Sequence, residues 1–271
     1  MPKPSRSRFP IRVGVIGYGF IGRELVKRLR ADPKRFALAF VHARRRDQAS
    51  DIADADFLAD LTDVGLKPVD LIVETAHPVI THRHGAGILQ QCDYMPLSTT
   101  ALTDDSLRAS LCGMAAQHGT RLLLAAGALI GGEEMEKRSV PWVRARITFR
   151  KHPANIDFSD VDIDPATLTM ATTIFEGSVR DIAGRYPRNV NTMVTAALLS
   201  TGVDACEGVL IADPALDCAI AEVEAWGEDG SYIRTEKRQP AKGVSGTEMV
   251  DSVWGSICRS FGISNKPFVF V

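Results

Sequence analysis

The chain has 271 residues, 45% of them hydrophobic and 24% charged, with a formal net charge of −1. That is the composition of an ordinary globular protein, long enough for two modest domains sharing a cleft. The balanced charge excludes a global pull toward nucleic acid or an anionic membrane, so any specific charge must be local. The five cysteines are odd in number, scattered, and contain no C-x-x-C, which reads against both a disulfide framework and a zinc site. No metal is expected. The longest apolar run, LLLAAGALI (122–130), is far too short to cross a bilayer, and the basic N-terminus leads straight into a strand-like run rather than a signal region. The expectation is a soluble, cytoplasmic protein.

In chain order, IRVGVI (11–16) reads as a buried strand, GYGFIG as a turn, and IGRELVKRLRAD as an amphipathic helix. FALAFV (36–41), LIVET (71–75), YMPLST (94–99) and RLLLAA (121–126) read as further buried strands. Helical stretches fall near 81–91 and 104–118, the second opened by Thr103 with Asp104 and Asp105 in its first turn. Continuous apolar strands alternating with helices imply a parallel sheet covered on both faces. The first half, 1–127, is therefore expected to be an α/β domain of the Rossmann type, doubly wound.

After Gly127 the pattern changes. VRARITFR (143–150) alternates apolar and polar, as do TMATTIF, GVLIAD, AIAEVEAW and SYIRTEKR, and only two helices are expected, near 178–184 and 190–200. Residues 128–243 thus read as an α+β domain on a mixed or antiparallel sheet. The remaining segment, 244–271, reads as a helix packing back on the first domain.

Gly17, Gly19 and Gly22 spell G-x-G-x-x-G between a strand and a helix, with Phe20 and Ile21 opening the helix. In that context the first glycine permits the turn, the second lets a pyrophosphate approach the backbone, and the third lets helix and strand pack closely. The pattern points to a nicotinamide dinucleotide. An acid that would hold the ribose of NAD is expected about 20 positions later; His42, Arg44, Arg45 and Arg46 stand there instead. Their guanidinium groups suit the 2′-phosphate of NADP, so the preferred cofactor is NADP, with NAD second. The plainer alternative is a solvated surface loop partly balanced by Asp47.

The chain resembles the L-aspartate dehydrogenase family from the glycine turn to the C-terminal helix. The resemblance is carried by GVIGYGFIG, LIVETA, GALIGG (127–132), TFRKHP (148–153), IFEGSVRDIAGRYPRNVNTMVTAAL (174–198), LIADP (210–214) and AEVEAWG (221–227). It implies a homodimeric NAD(P)-dependent oxidoreductase that converts an amino acid amine to an imine and then to a keto acid and ammonia, or runs in reverse. It places Ala128 beside the nicotinamide and Asn191 against the same ring or its amide, although GALIGG has one residue more than the family's usual GAIGG.

The same resemblance exposes a departure: family members carry a histidine where Ala221 stands, and that imidazole is taken to be the acid/base group. His77 just after LIVET, Lys242 in QPAKGVS, or water could replace it. Arg150 and Lys151 are the candidate anchors for a dicarboxylate, although strand alternation turns them to opposite faces; Arg180 and Arg188 read as solvated arginines. The competing reading is a catalytically silent NADP(H)-binding relative acting as a sensor or partner protein.

Overall fold

The computed structural model describes residues 9–242, 245–246 and 248–264. The chain divides into two compact units, residues 1–125 with 253–271, and residues 126–252.

In the first unit β1 (Ile11–Ile16), β2 (Phe36–His42), β3 (Leu71–Glu74) and β4 (Asp93–Pro96) form a parallel sheet in the order β2-β1-β3-β4. All four residues of β3 are buried, as a strand covered on both faces requires. The connections are α1 (Phe20–Ala31), α2 (Pro78–Leu89) and α3 (Asp105–His118). Leu25, Val26 and Leu29 form the apolar stripe of α1 and join Phe36, Val41, Val73 and Met95 in one core. Val253 and Ile257 belong to the same core, and Trp254 packs its ring 4.7 Å from that of Phe36. These three come from α7 (Met249–Ser260).

Several boundaries differ from the sequence reading. RLLLAA does not form a strand; it makes one bridge, Tyr94 with Leu122. Tyr94 N–H bonds Arg121 O and Leu123 N–H bonds Tyr94 O, but the next rung of a parallel ladder would need the N–H that Pro96 lacks. Pro96 likewise ends β4, so the expected strand 94–99 gives way to a 3₁₀ turn over Thr99–Thr103. Asp104, not Thr103, caps α3, its Oδ1 accepting from Leu107 N–H at 3.0 Å. The Thr103 hydroxyl is turned back to Thr100 O. Helix α2 begins earlier than expected because Pro78 is suited to a first helical position, with His77 as its cap.

The second unit holds a six-stranded sheet in the order β10-β9-β8-β5-β7-β6. Its strands are β5 (Trp142–Lys151), β6 (Thr172–Ser178), β7 (Glu207–Ala212), β8 (Cys218–Gly227), β9 (Tyr232–Lys242) and β10 (Ser245–Gly246). Only β5 and β7 pair in parallel, so the sheet is mixed. Two helices follow the expectation, α5 (Val179–Arg185) and α6 (Asn191–Leu198). A third, α4 (Gly132–Glu136), was not expected: GEEME has no apolar period and buries only Met135.

Candidate functional site

The glycine turn of the first unit is held by its neighbours. Gly17 has φ +97°, where side chains are strained, and a Cβ on Gly22 would lie 2.0 Å from Gly17 O. Gly19 is different: a Cβ there would meet nothing within 4 Å. Gly19 is also the N-cap of α1, without a side-chain cap, and the first turn holds no acid. Phe20 and Ile21 in that turn are half-buried. A helix start of this kind, open above the glycine, suits a diphosphate, because backbone N–H groups and the helix dipole favour an anion. The residues therefore fit a dinucleotide.

The loop after β2 is braced against this turn. Tyr18 is buried and donates its hydroxyl to Asp51 at 2.7 Å, and burial together with that carboxylate pushes its phenol up to about 12. Arg23 lies over the Tyr18 ring at 5.0 Å and bonds Gln48 O. His42 accepts Gly17 N–H on its carbonyl and sets its Nδ1 2.8 Å from Leu58 O. The three arginines have different fates. Arg46 turns inward to Ile52 O, Ala49 O and Asp54, over the Phe57 ring. Arg45 is exposed and 3.4 Å from Asp47, while Arg44 is exposed and makes no ion pair among the described residues.

At the end of β3, Glu74 is wholly buried. Its Oε1 accepts from Ala76 N–H, His77 N–H and Ser98 Oγ, and its Oε2 accepts from Ser98 N–H at 3.1 Å. Burial pushes this carboxyl up, while those four donors pull the other way. The carboxylate thus fixes the loop that carries His77, whose Nδ1 accepts Val79 N–H at 3.2 Å as the cap of α2. Glu74→Gln turns an amide donor toward one of these N–H groups. It is expected to cost about 1–3 kcal/mol, the penalty of one unsatisfied buried donor. Urea unfolding reads the loss, and unchanged stability would rule out this bracing role.

The second unit contains a cleft that is open to solvent. Its floor is β8, where Ala219 and Ala221 present only methyl groups. Ala221 lies opposite Phe149 on β5 and Lys237 on β9, and Ala219 lies opposite Gln239. Lys151, two residues beyond Phe149, continues that strand's cleft-facing side. Small residues on the middle strand and long ones on its neighbours make a trough. Asn189, Asn191, Arg188 and Ala128 complete its lining.

Backbone geometry sets these positions. Gly127 has φ +60°, and a Cβ on it would stand 2.9 Å from Thr192 Oγ1. That hydroxyl accepts Ala128 N–H at 3.3 Å. Asn189 holds Asp157 through both backbone groups, accepting its N–H and donating to its carbonyl, and Asn189 O accepts from Lys151 Nζ at 3.2 Å. Arg188 pairs with Asp157 at 2.6 Å through Nη1. Burial pushes the Lys151 ammonium down to about 8.

Among the residues singled out from sequence, the cleft brings together Ala128, Asn191, Ala221, Lys151 and Arg188. Arg150 is exposed and does not line it, and Arg180 is tied to Asp204. His77 belongs to the first unit, as do Gly17, Gly19, Gly22, Phe20, Ile21, His42, Arg44 and Arg45. Lys242 ends β9, and its side chain lies outside the described residues. Gln239 was not anticipated, although a polar residue at an inward position of an alternating strand is a signal that could have drawn attention to it. Among the described residues no cluster of histidine, cysteine and acidic side chains could hold a metal, and no helix is long and apolar enough to cross a membrane.

Residues 137–252 match the family model for the aspartate dehydrogenase C-terminal region, and residues 17–125 match the homoserine dehydrogenase NAD binding domain. An aspartate dehydrogenase domain-containing protein of Xenopus tropicalis is 34% identical, over 96% of this chain and 98% of its own length. L-aspartate dehydrogenase of Cupriavidus necator is 30% identical, over 85% of this chain and 89% of its own. The crystal structure of aspartate dehydrogenase from Thermotoga maritima shares the fold, with a TM-score of 0.73 at 23% identity over 96% of this chain and 99% of that one. With the parallel sheet behind a glycine turn and the mixed sheet of the second unit, these matches establish that the chain belongs to the aspartate dehydrogenase family of oxidoreductases.

Proposed function

We propose that this protein is an NADP-preferring amino acid dehydrogenase acting on a small dicarboxylate amine, aspartate or a close relative, most simply as a homodimer. The observation that carries the reading is the trough of the second unit, where Lys151, Arg188 and Asn191 line one space. An arginine fork for a carboxylate and a buried lysine for the amine suit a short acidic amino acid. Arg188 engages Asp157 through Nη1, so the rest of its fork can receive a carboxylate.

The nicotinamide supplies the hydride acceptor for the substrate Cα. The remaining work belongs to the chain: Gly19 and the start of α1 would receive the diphosphate. Arg188 holds a carboxylate and so fixes the Cα hydrogen in one direction. In the oxidative direction an α-ammonium acid, the oxidised dinucleotide and water give a keto acid, ammonium, the reduced dinucleotide and one proton.

Arg44 carries the cofactor preference, because Arg46 is committed to its own loop and Arg45 leans on Asp47. Arg44→Asp is expected to raise the KM for NADPH about 10–100-fold, the worth of one charge-assisted contact turned repulsive, and that for NADH by less than about threefold. The assay mixes protein, oxaloacetate and ammonium with each reduced cofactor and follows its absorbance. Equal losses for both cofactors would remove the NADP assignment.

A second reading has Ala221 in its favour. A methyl stands where the resemblance implies an imidazole, and a methyl moves no proton. On that reading the chain binds NADP(H) and is silent. It predicts tight NADPH binding with no turnover on any of a panel of keto acids.

A further inference from the structure

The trough holds a group with the chemistry that Ala221 lacks, and this inference rests on the dehydrogenase reading. Lys151 is buried, with its Nζ 3.2 Å from Asn189 O and 5.3 Å from the centroid of the Phe149 ring. It leaves the same face of β5 as Phe149, the residue opposite Ala221, so it is the diagonal neighbour of the bare position. Across the floor stands Gln239, 4% exposed, whose Oε1 is buried without a hydrogen-bond partner. A buried acceptor left unmet is costly, and a ligand that brings an N–H to it relieves the cost.

We propose that the substrate nitrogen sits between these two side chains, with Lys151 as the proton-transfer group and Gln239 Oε1 accepting an N–H of the same nitrogen. In the oxidative direction the neutral Nζ takes a proton from the α-ammonium, leaving a free amine and a lysine ammonium. A bound oxidised nicotinamide would supply the acceptor for the Cα hydrogen and its electron pair, and the amine carbon would then be left as an iminium. Water adds to that carbon, the C–N bond breaks, ammonia leaves as ammonium, and the lysine's proton is finally released to solvent. An imidazole at 221 would stand on the floor of this trough; with only a methyl there, the longer lysine reaches the space from the wall.

The charged groups around Lys151 are compatible with a lysine that gives up its proton. Arg188 on the 188–189 loop faces the trough with Asp157 beside it. Lys237 on β9 is paired with Glu248 at 3.2 Å. On β7 and β8 the residues beside Lys151 are Ala212 and the floor alanines. With burial holding the group near pH 8, both protonation states are populated in the range where the amine must change its own.

The test uses the whole protein with aspartate and NADP. Lys151→Ala is expected to lower kcat by about 10²–10⁴-fold, the usual worth of positioned acid–base catalysis, and methylamine should restore part of it. Lys151→Arg keeps a cation that cannot deprotonate, so kcat should fall equally while the KM for aspartate stays within a few-fold. The acid limb of kcat/KM, where wild-type activity falls as the pH drops below about 8, should vanish in both. Gln239→Leu should raise the amino acid KM about tenfold and leave that limb in place.

A readout independent of turnover is the ¹³Cε resonance of lysine that is absent from Lys151→Ala, which should titrate near 8. Wild-type kcat in Lys151→Arg, or an unchanged limb in Lys151→Ala, overturns the role of the lysine alone. A wild type inert toward a panel of amino and keto acids removes the dehydrogenase reading, and this proposal with it, before any variant is made.

Discussion

Gly22→Ala is expected to abolish measurable nucleotide binding and to lower the melting temperature as well. The added Cβ would lie 2.0 Å from Gly17 O and 3.1 Å from Thr75 Oγ1. The first contact is with backbone, and that backbone is not free to give: Gly17 N–H is held by His42 O, and Gly17 O accepts the Thr75 hydroxyl at 3.0 Å. Helix α1 must therefore lift from β1, and with it the buried stripe of Leu25, Val26 and Leu29. Overpacking of this kind costs about 1–3 kcal/mol or more. Gly19→Ala provides the contrast, because its Cβ meets nothing and the fold should be untouched. Only the space over the turn is lost, so wild-type melting with at least tenfold weaker NADPH binding is expected, by scanning and titration calorimetry. A Gly19→Ala protein that binds NADPH normally would falsify the assignment of the turn as the diphosphate cradle.

Lys151→Met should stabilise the fold at neutral pH even as it removes the proton-transfer group. Below pH 8 the lysine is charged in both the folded and unfolded chain, and only the folded state keeps the ammonium out of water. The displacement from 10.5 to about 8 corresponds to roughly 3 kcal/mol, at about 1.4 kcal/mol for each pKa unit. Because the folded pKa is depressed for a base, the unfolded state binds more protons between about 8 and 10.5, and wild-type stability from this group rises with pH through that window. Methionine has nothing to titrate and similar volume, so its advantage should be largest at pH 7 and fade toward pH 10.5. Chemical denaturation at several pH values reads both the gain and its disappearance. An equal difference at all pH values would mean that packing, not charge, separates the two proteins.

Gain of stability on loss of a group is the expected signature of a residue held in place for chemistry rather than folding. The same logic separates Lys151 from Glu74. Four hydrogen bonds converge on the buried carboxylate and give it a structural use. The buried ammonium lines an open cleft.

Much of the fold was legible because it depends on local rules. β-branched apolar runs marked the parallel strands, and strict alternation marked those of the mixed sheet. Glycines placed between a strand and a helix marked the turn with a reason for each. The misses have physical causes of their own. RLLLAA is apolar enough for a strand, yet the ladder ends at a proline on its neighbour, which no window centred on 121–126 contains. GEEME has no periodicity to detect. The three arginines were indistinguishable in VHARRRD, and only the fold of the following 3₁₀ turns shows that Arg46 is committed inward while Arg44 is not.

Taken alone, the sequence indicated what short-range chemistry can indicate: an α/β unit followed by an α+β unit, glycines between a strand and a helix, a basic loop where an acid was expected, and an alanine at 221 where the resemblance implies an imidazole. The tertiary structure decided which distant residues share a space. Lys151, Ala221 and Gln239 lie far apart in the chain and line one trough only because β5, β8 and β9 are neighbours in one sheet, in one register. A shift of one residue would turn every one of them to the other face. Burial, and with it the proton affinity of Lys151, is a property of that assembled face, so no reading of TFRKHP by itself could have supplied it.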